Sequence, residues 1–226
     1  MAEKESLKDS NIFVLTSYVV AHSLLLAWMV IGQPTSLKAA SEIGMAEWSK
    51  AGAALVLILL VRILNRLGGS MLKARLVFWR YRYPLPGYRA FSKLASTDHR
   101  IDAHRLQERL GGSFPEHPEQ QNKEWYRIYQ RHSSNLGVES SHKEYLLFRD
   151  TCWLTILLTT GGCALLWRTI HNPWLIMWYL CANVTLYIIA RLASVRAGER
   201  FVTSVLAAES AAMDQIPPTT ASLITG

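Results

Sequence analysis

"IFVLTSYVVAHSLLLAWMVIG", residues 12–32, decides the fold class, because it runs for 21 residues without a charged side chain. Wound as a helix at the usual rise it covers about 30 Å, the thickness of a bilayer's hydrocarbon layer. A secretory leader is the competing expectation. The preceding "MAEKESLKDS" is charge-balanced rather than basic, and no small-x-small cleavage site follows the apolar run, so the sequence predicts a retained span.

Three more apolar blocks follow. "AGAALVLILLVRIL", Ala51 to Leu64, is the shortest; Lys50 and Arg62 leave eleven uncharged residues between them. That is about 17 Å of helix, which spans only if both cations extend their side chains outward, with Trp48 anchoring one end and Arg66 beyond the other. A re-entrant or interfacial helix is the alternative. The third block runs from Thr151 to Trp167 and the fourth from Pro173 to Ala190. They are joined by the five residues "RTIHN", which predicts a tight antiparallel hairpin. Trp153, Trp167, Trp174, Trp178 and Tyr179 gather toward block ends, as interfacial aromatics do.

Lysine and arginine set the orientation. Residues 65–150 carry fifteen of them, the 33–50 loop two and the 168–172 loop one. Placing the middle and both termini in the cytoplasm satisfies the positive-inside rule with four spans. If the second block does not cross, the N-terminus moves outside. The expected fold is an all-α integral membrane protein, with four transmembrane helices as two hairpins and a basic helical cytosolic insert. Its divisions are a cytosolic N-terminus (1–11), the first hairpin (12–67), the insert (68–150), the second hairpin (151–190), and a cytosolic helix with a disordered tail (191–226).

Within the insert, "SMLKARLVFWRYRY" predicts a helix ended by Pro84, Pro86 and Gly87. "DAHRLQERL" predicts another, stopped by Gly111 and Gly112. "PEQQNKEWYRIYQRH" has proline and acid early, base late, and Trp125, Ile128, Tyr129 and His132 on one face. "VESSHKEYLLFRD" should run unbroken into the third span. Aliphatics are few for a free-standing domain, so the insert is expected to pack on its own spans or on sister subunits. In the tail, Ala190, Ser194 and Gly198 repeat at four-residue spacing and permit close helix approach.

The chemistry-bearing residues are sparse. "DHRIDAH", 98–104, holds two aspartates and two histidines, a ligand chemistry for metals. Acids at a helix start also favour its dipole without any metal. His117, His132 and His142 are scattered, and no nucleophile elbow, phosphate loop or dinucleotide fingerprint is present. No catalytic residue, metal or cofactor is therefore expected. Cys152, Cys163 and Cys181 form neither a disulfide framework nor a zinc spacing and read as small buried hydrophobes.

His22 lies mid-span with Thr16 and Ser23 nearby, and Asn183 lies in the fourth span. These four are the candidate pore- or cavity-lining residues; an interhelical hydrogen bond is the plainer reading of each, and Thr159, Thr160 and Thr185 share the ambiguity. "FWRYRYPLPGYRAF", 78–91, mixes arginines with aromatics and no acid, within an acid-free run of eight cations from Arg62 to Lys93. One reading is contact with anionic lipid. The other is an anion or nucleotide site built from Arg75, Arg80, Arg82, Arg89 and Lys93, since guanidinium forks grip phosphate and rings stack on bases. The two coexist if Arg75 and Arg80 face lipid while Arg82, Arg89 and Lys93 face ligand.

"YPLPGYRAFSKLASTDHRID", followed by "QNKEWYRIYQRH" and "HKEYLLFRD", resembles a group of bacterial inner-membrane proteins and, more loosely, the multi-span membrane effectors of anti-phage defence systems of the Hailong type. That resemblance implies an inner-membrane effector that answers a nucleotide or oligonucleotide signal made by a cytosolic nucleotidyltransferase. The expectation is a homo-oligomeric ion channel or pore-forming effector gated at the basic insert. A non-conducting scaffold recruiting a cytosolic partner and a membrane-embedded enzyme are the alternatives.

Overall fold

The structure is a computed structural model and describes residues 11–31 and 50–214. The expected cytosolic N-terminus (save Asn11), the loop holding Trp48, and the tail from Gln215 lie outside the described residues. Among the described residues every regular element is helical and no strand occurs. In chain order these are α1 (Ile12–Ile31), α2 (Lys50–Leu67), α3 (Ser70–Phe78), a 3-10 turn (Pro86–Arg89), a π-helical turn (Ala90–Leu94), α4 (Ala103–Arg109), α5 (Pro118–His132), α6 (Leu136–Thr169) and α7 (Pro173–Asp214). Two of them, at Ile12–Val30 and Pro173–Met213, are long and apolar enough to cross a membrane. The chain forms two compact units, one of residues 1–77 with 146–194 and one of 78–145 with 195–226.

The helix boundaries follow local chemistry. Asn135 Oδ1 accepts the Gly137 and Val138 N–H groups and opens α6; Asn172 Oδ1 does the same for Trp174 and Leu175 at the start of α7, where Pro173 needs no partner. Asp102 caps α4 by accepting from Arg105 N, and Gly111 and Gly112 end that segment at φ +93° and +92°, where glycine carries no Cβ penalty. Helix α6 runs unbroken from the insert into the third apolar block, and α7 continues through the fourth block to the tail. Helix α3 is shorter than the sequence predicts. It stops at Phe78, before either proline, because Trp79 turns into the left-handed region at φ 52°.

In the apolar unit, Leu15 and Val19 of α1, Val61 of α2 and Leu154 of α6 make a buried core, with Tyr18, Leu64 and Leu158 packed on it. Orphan carbonyls at helix ends find donors: Trp153 Nε1 donates to Leu64 O at 2.8 Å and Tyr187 OH to Leu76 O at 2.7 Å. Beside them sits a buried ion cluster. Asp150 Oδ1 receives Lys73 Nζ at 3.0 Å and Arg149 Nη2 at 2.9 Å, while Asn65 Nδ2 donates to its other oxygen at 2.8 Å. Burial alone would raise the Asp150 carboxyl, but Arg149, Lys73 and the Asn65 and Lys73 hydrogen bonds outweigh it and hold the group below its ordinary value.

The polar unit buries aliphatic side chains, among them Leu106, Ile128, Val138 and Leu206, together with a cluster of aromatic rings. Phe201 of α7 stacks on His142 at 4.3 Å and meets Trp125 and Tyr129 edge-on at 5.3 and 5.4 Å. Gly198 permits this approach, since a Cβ there would press on Phe78 and Tyr145. The insert's packing partner is thus the C-terminal part of α7, and the small-residue repeat is covered at Gly198 by the chain itself. Glu209, 2% exposed, anchors the far end: Arg131 Nη2 and His132 Nε2 reach it at 2.7 and 2.6 Å, and Arg109 Nε at 3.3 Å. Burial would raise its carboxyl, yet Arg131 and His132, with Arg109, keep it lowered.

Asp150→Asn should cost about 3–5 kcal/mol, because it removes the carboxylate charge that two buried cations share. A carboxyl lowered in the folded state stabilises above its unfolded value of about 4 and loses that contribution as pH falls through the lower folded one. Denaturation in micelles from pH 7 to pH 3 should therefore show an acid loss that Asp150→Asn flattens. An unchanged profile would remove the cluster from the stability argument. Glu209→Gln should cost less, about 2 kcal/mol, since its arginines are half exposed and can turn to water. Hydrogen exchange should accelerate in α5 and in residues 195–214, and equal protection in the variant would contradict this.

Candidate functional site

The basic stretch begins where α3 ends. Trp79 and Tyr83 both hold φ 52°, the second although it precedes a proline. Bulky residues there cost on the order of 1 kcal/mol or more each. Between them Arg80, Tyr81 and Arg82 stand exposed. The chain then turns inward. Gly87 lies against Asn122 and Trp125, where a Cβ would collide with both. Gln121, 1% exposed, accepts the Phe91 and Ser92 N–H groups on Oε1 and donates from Nε2 to Glu116 O. One glutamine therefore fixes the turn that carries Arg89 and Lys93.

Arg89 is half-buried over the Phe78 ring at 5.9 Å, and its Nε is buried without a hydrogen-bond partner. Burial lowers its pKa, the charge of Arg80 adds to that, and Glu199 opposes it. Lys93 Nζ stands 3.9 Å from Glu199 Oε1, beyond hydrogen-bond length, with its side chain 61% exposed. Of the five candidates, Arg89 and Lys93 thus share one carboxylate, Glu199, and Arg80 lies near Arg89. Arg82 is exposed on the loop, and Arg75 is exposed on α3 in the other unit. Glu199 carried no signal in the sequence: it sits on α7, more than a hundred residues from Lys93.

A hollow of about 570 Å³ opens beside this group, its lining including Lys93, Asp98, His99, Arg100, Glu199 and Arg200. Asp98 is taken up by Arg100, whose guanidinium donates at 2.7 Å and holds the carboxyl down to about 2. Arg200 Nη1 pairs with Glu144 at 2.9 Å. The "DHRIDAH" residues do not converge: Asp98 serves Arg100, Asp102 caps α4, and His104 faces Glu108 at 3.5 Å. Among the described residues no group of three or more His, Cys, Asp or Glu side chains is arranged to hold a metal ion.

The four lining candidates separate into two sets. His22 is buried, and its Nε2 lies 2.7 Å from Tyr179 OH. That hydroxyl donates to Leu158 O at 3.0 Å, so the proton shared with His22 comes from the imidazole. Asn183 Nδ2 donates to Tyr179 O at 2.9 Å, while its Oδ1 is buried without a partner. Tyr179, expected among the interfacial aromatics, is 2% exposed and joins these two residues. Its partners across the helix pairs explain the difference, and sequence spacing does not reveal them. Thr16 and Ser23 lie about 100–120° round α1 from His22: Ser23 is exposed, and Thr16 Oγ1 donates to Ile12 O at 2.7 Å. Thr16 and Ser17 line an apolar groove of about 500 Å³ with Phe13, Val20, Leu24 and Ile58.

Adjacent glycines on α6 test the buried centre. A methyl at Gly162 would strike the Tyr179 hydroxyl, whereas Gly161 has open space around it. Gly162→Ala should destabilise the protein by about 1–3 kcal/mol through overpacking. Gly161→Ala should be neutral or mildly stabilising, by up to about 1 kcal/mol of helix propensity. Equal thermal midpoints for the two variants would contradict the close α6–α7 approach. Comparison with protein-family models, with curated proteins and with solved structures gives no match.

Proposed function

We propose that this protein is a four-span membrane protein that assembles into an oligomeric pore or channel, controlled by an anionic ligand at its basic polar unit. The observation that carries the reading is the division of polar residues on α1. His22 bonds inside the chain, whereas Ser17 and Ser23 are exposed and Thr16 is half-buried elsewhere on the same apolar helix. Small hydroxyl side chains on such a helix suit the wall of an aqueous path shared between copies. Four helices with a hydrogen-bonded centre enclose little room for one of their own, so a pore calls for a cyclic assembly.

Exposure supports the membrane setting. Phe13, Leu24 and Trp28 on α1, and Trp174 and Trp178 on α7, are uncovered, which hydrocarbon or another subunit would remedy. The apolar stretch of α6 and the 18-residue α2 supply the remaining two spans, with α2 the shortest at about 27 Å. The charge distribution puts the polar unit and both termini in the cytoplasm of a bacterial inner membrane. The sequence resemblance suggests anti-phage defence, with a cytosolic nucleotidyltransferase as the source of a nucleotide or oligonucleotide signal. The scaffold reading draws on a separate observation, the exposed Trp79–Tyr83 loop, which offers a partner or anionic lipid an aromatic and cationic surface without any pore.

Ion flux through liposomes tests the proposal. Purified protein should conduct, and short oligonucleotides should change the flux. With Cys163 and Cys181 replaced by serine, Thr16→Cys or Ser23→Cys should make that flux sensitive to a charged thiol reagent, and Leu25→Cys should not. Absence of flux from folded, oriented protein would transfer the assignment to the scaffold. Block at Leu25 equal to that at Ser23 would remove these hydroxyls from the pore.

A further inference from the structure

The hollow beside Lys93 is more basic than its paired look suggests. Three of the nearby cations have carboxylate partners of different quality. Arg100 is held by Asp98 and Arg200 by Glu144, both at hydrogen-bond distance. Among the described residues Lys93 meets Glu199, at 3.9 Å. Arg89 brings a further charge near Glu199, and Arg80 stands close to Arg89. In the lining itself Lys93, Arg100 and Arg200 meet Asp98 and Glu199, and Lys93 is the cation held most loosely.

Two further features favour an anion there. The buried Arg89 Nε, near Glu199 though outside the hollow's lining, is a donor with no acceptor among the described residues, and such groups are seldom left so. The Gln121 side chain fixes the backbone of the turn that carries both Arg89 and Lys93, so the cations are pre-positioned by the fold rather than gathered by a ligand. Glu199 is one-third exposed and makes no close contact with Lys93, the disposition of a carboxylate that can be moved aside.

We propose that the hollow beside Lys93, Arg100 and Arg200 binds a phosphate-bearing anion, with Glu199 as the resident carboxylate that the anion displaces. The proposal rests on the reading of the polar unit as the ligand-bearing part, and it names the site and the competing group. A phosphate there gains charge-assisted hydrogen bonds from Lys93 and from guanidinium groups that turn from Glu144 or Asp98. No bond is made or broken.

Calorimetric titration of pyrophosphate into the full chain in phosphatidylcholine nanodiscs tests this without any measurement of flux. The unmodified protein should bind saturably. Lys93→Ala should weaken binding by about tenfold, the value of one charge-assisted hydrogen bond. Glu199→Gln should tighten it by about three- to tenfold, because it removes a competing like charge. No saturable binding by the unmodified protein and by Glu199→Gln alike would overturn the proposal. So would weaker binding in Glu199→Gln with its thermal midpoint unchanged, or unaltered binding in Lys93→Ala. Repeating the titration in phosphatidylglycerol nanodiscs separates the sources. Loss of pyrophosphate binding there assigns the site to lipid headgroups, and equal binding assigns it to a soluble anion. Saturable binding by a chain that carries no ions would uphold the site while removing the pore.

Discussion

Asp150 is the constraint on which the apolar unit depends. Its carboxylate is 4% exposed and collects Lys73 from α3, Arg149 from its own helix and Asn65 from α2. Each of those helices could pack by hydrophobic contact alone in several rotations, since hydrocarbon contacts are not directional. Charge-assisted bonds at about 3 Å are directional, and they select one rotation for each. The cost is that two cations and an anion are kept from water. Such a cluster contributes little to stability when intact and removes much when one member is lost. Its place at the joint of α2, α3 and α6 marks it as a device for fixing geometry.

The polar unit reaches the same end by another route. Its sequence looks poor in aliphatics for a core, yet Leu106, Ile128, Val138, Val202 and Leu206 are buried there, and aromatic rings pack beside them. Rings have preferred approaches, and Phe201 uses both of them, stacking on His142 and meeting Trp125 and Tyr129 by the edge. Gln121 and Glu209 then satisfy the backbone and cationic groups around the rings. Both side chains are almost wholly buried, and both are fully engaged. A core of this kind specifies one arrangement strongly because each polar member left unpaired would be costly.

Much of the helical framework was legible in the sequence. Proline opened α5 where expected, paired glycines ended α4, and the absence of a break between Val138 and Trp167 foretold α6 as one rod. These are local signals, and local chemistry decides them. The end of α3 was misread because prolines at 84 and 86 are visible in a sequence while a left-handed tryptophan is not. The candidate sites were legible only in part. Arg89 and Lys93 stood out by composition, but Glu199 and Tyr179 did not. Each is defined by a partner dozens or hundreds of positions away, and no periodicity encodes such a pairing.

The two polar sets on α1 bear most directly on what the protein does. A histidine in an apolar helix suggests a water path when it is read alone. Here its ring donates to a tyrosine whose own proton goes to Leu158 O, so each link in the chain has a place. A group so committed resists hydration, because opening the path would break two buried hydrogen bonds at once. The hydroxyls of Thr16, Ser17 and Ser23, turned about 100–140° from His22, carry no such commitment. Thr16 bonds its own helix, and a bond of that kind survives unchanged whether the face meets lipid, a neighbouring helix or water. In the proposed pore the weight therefore moves from the residue that attracts notice to the hydroxyls that do not, and from the interior of one chain to the space between several.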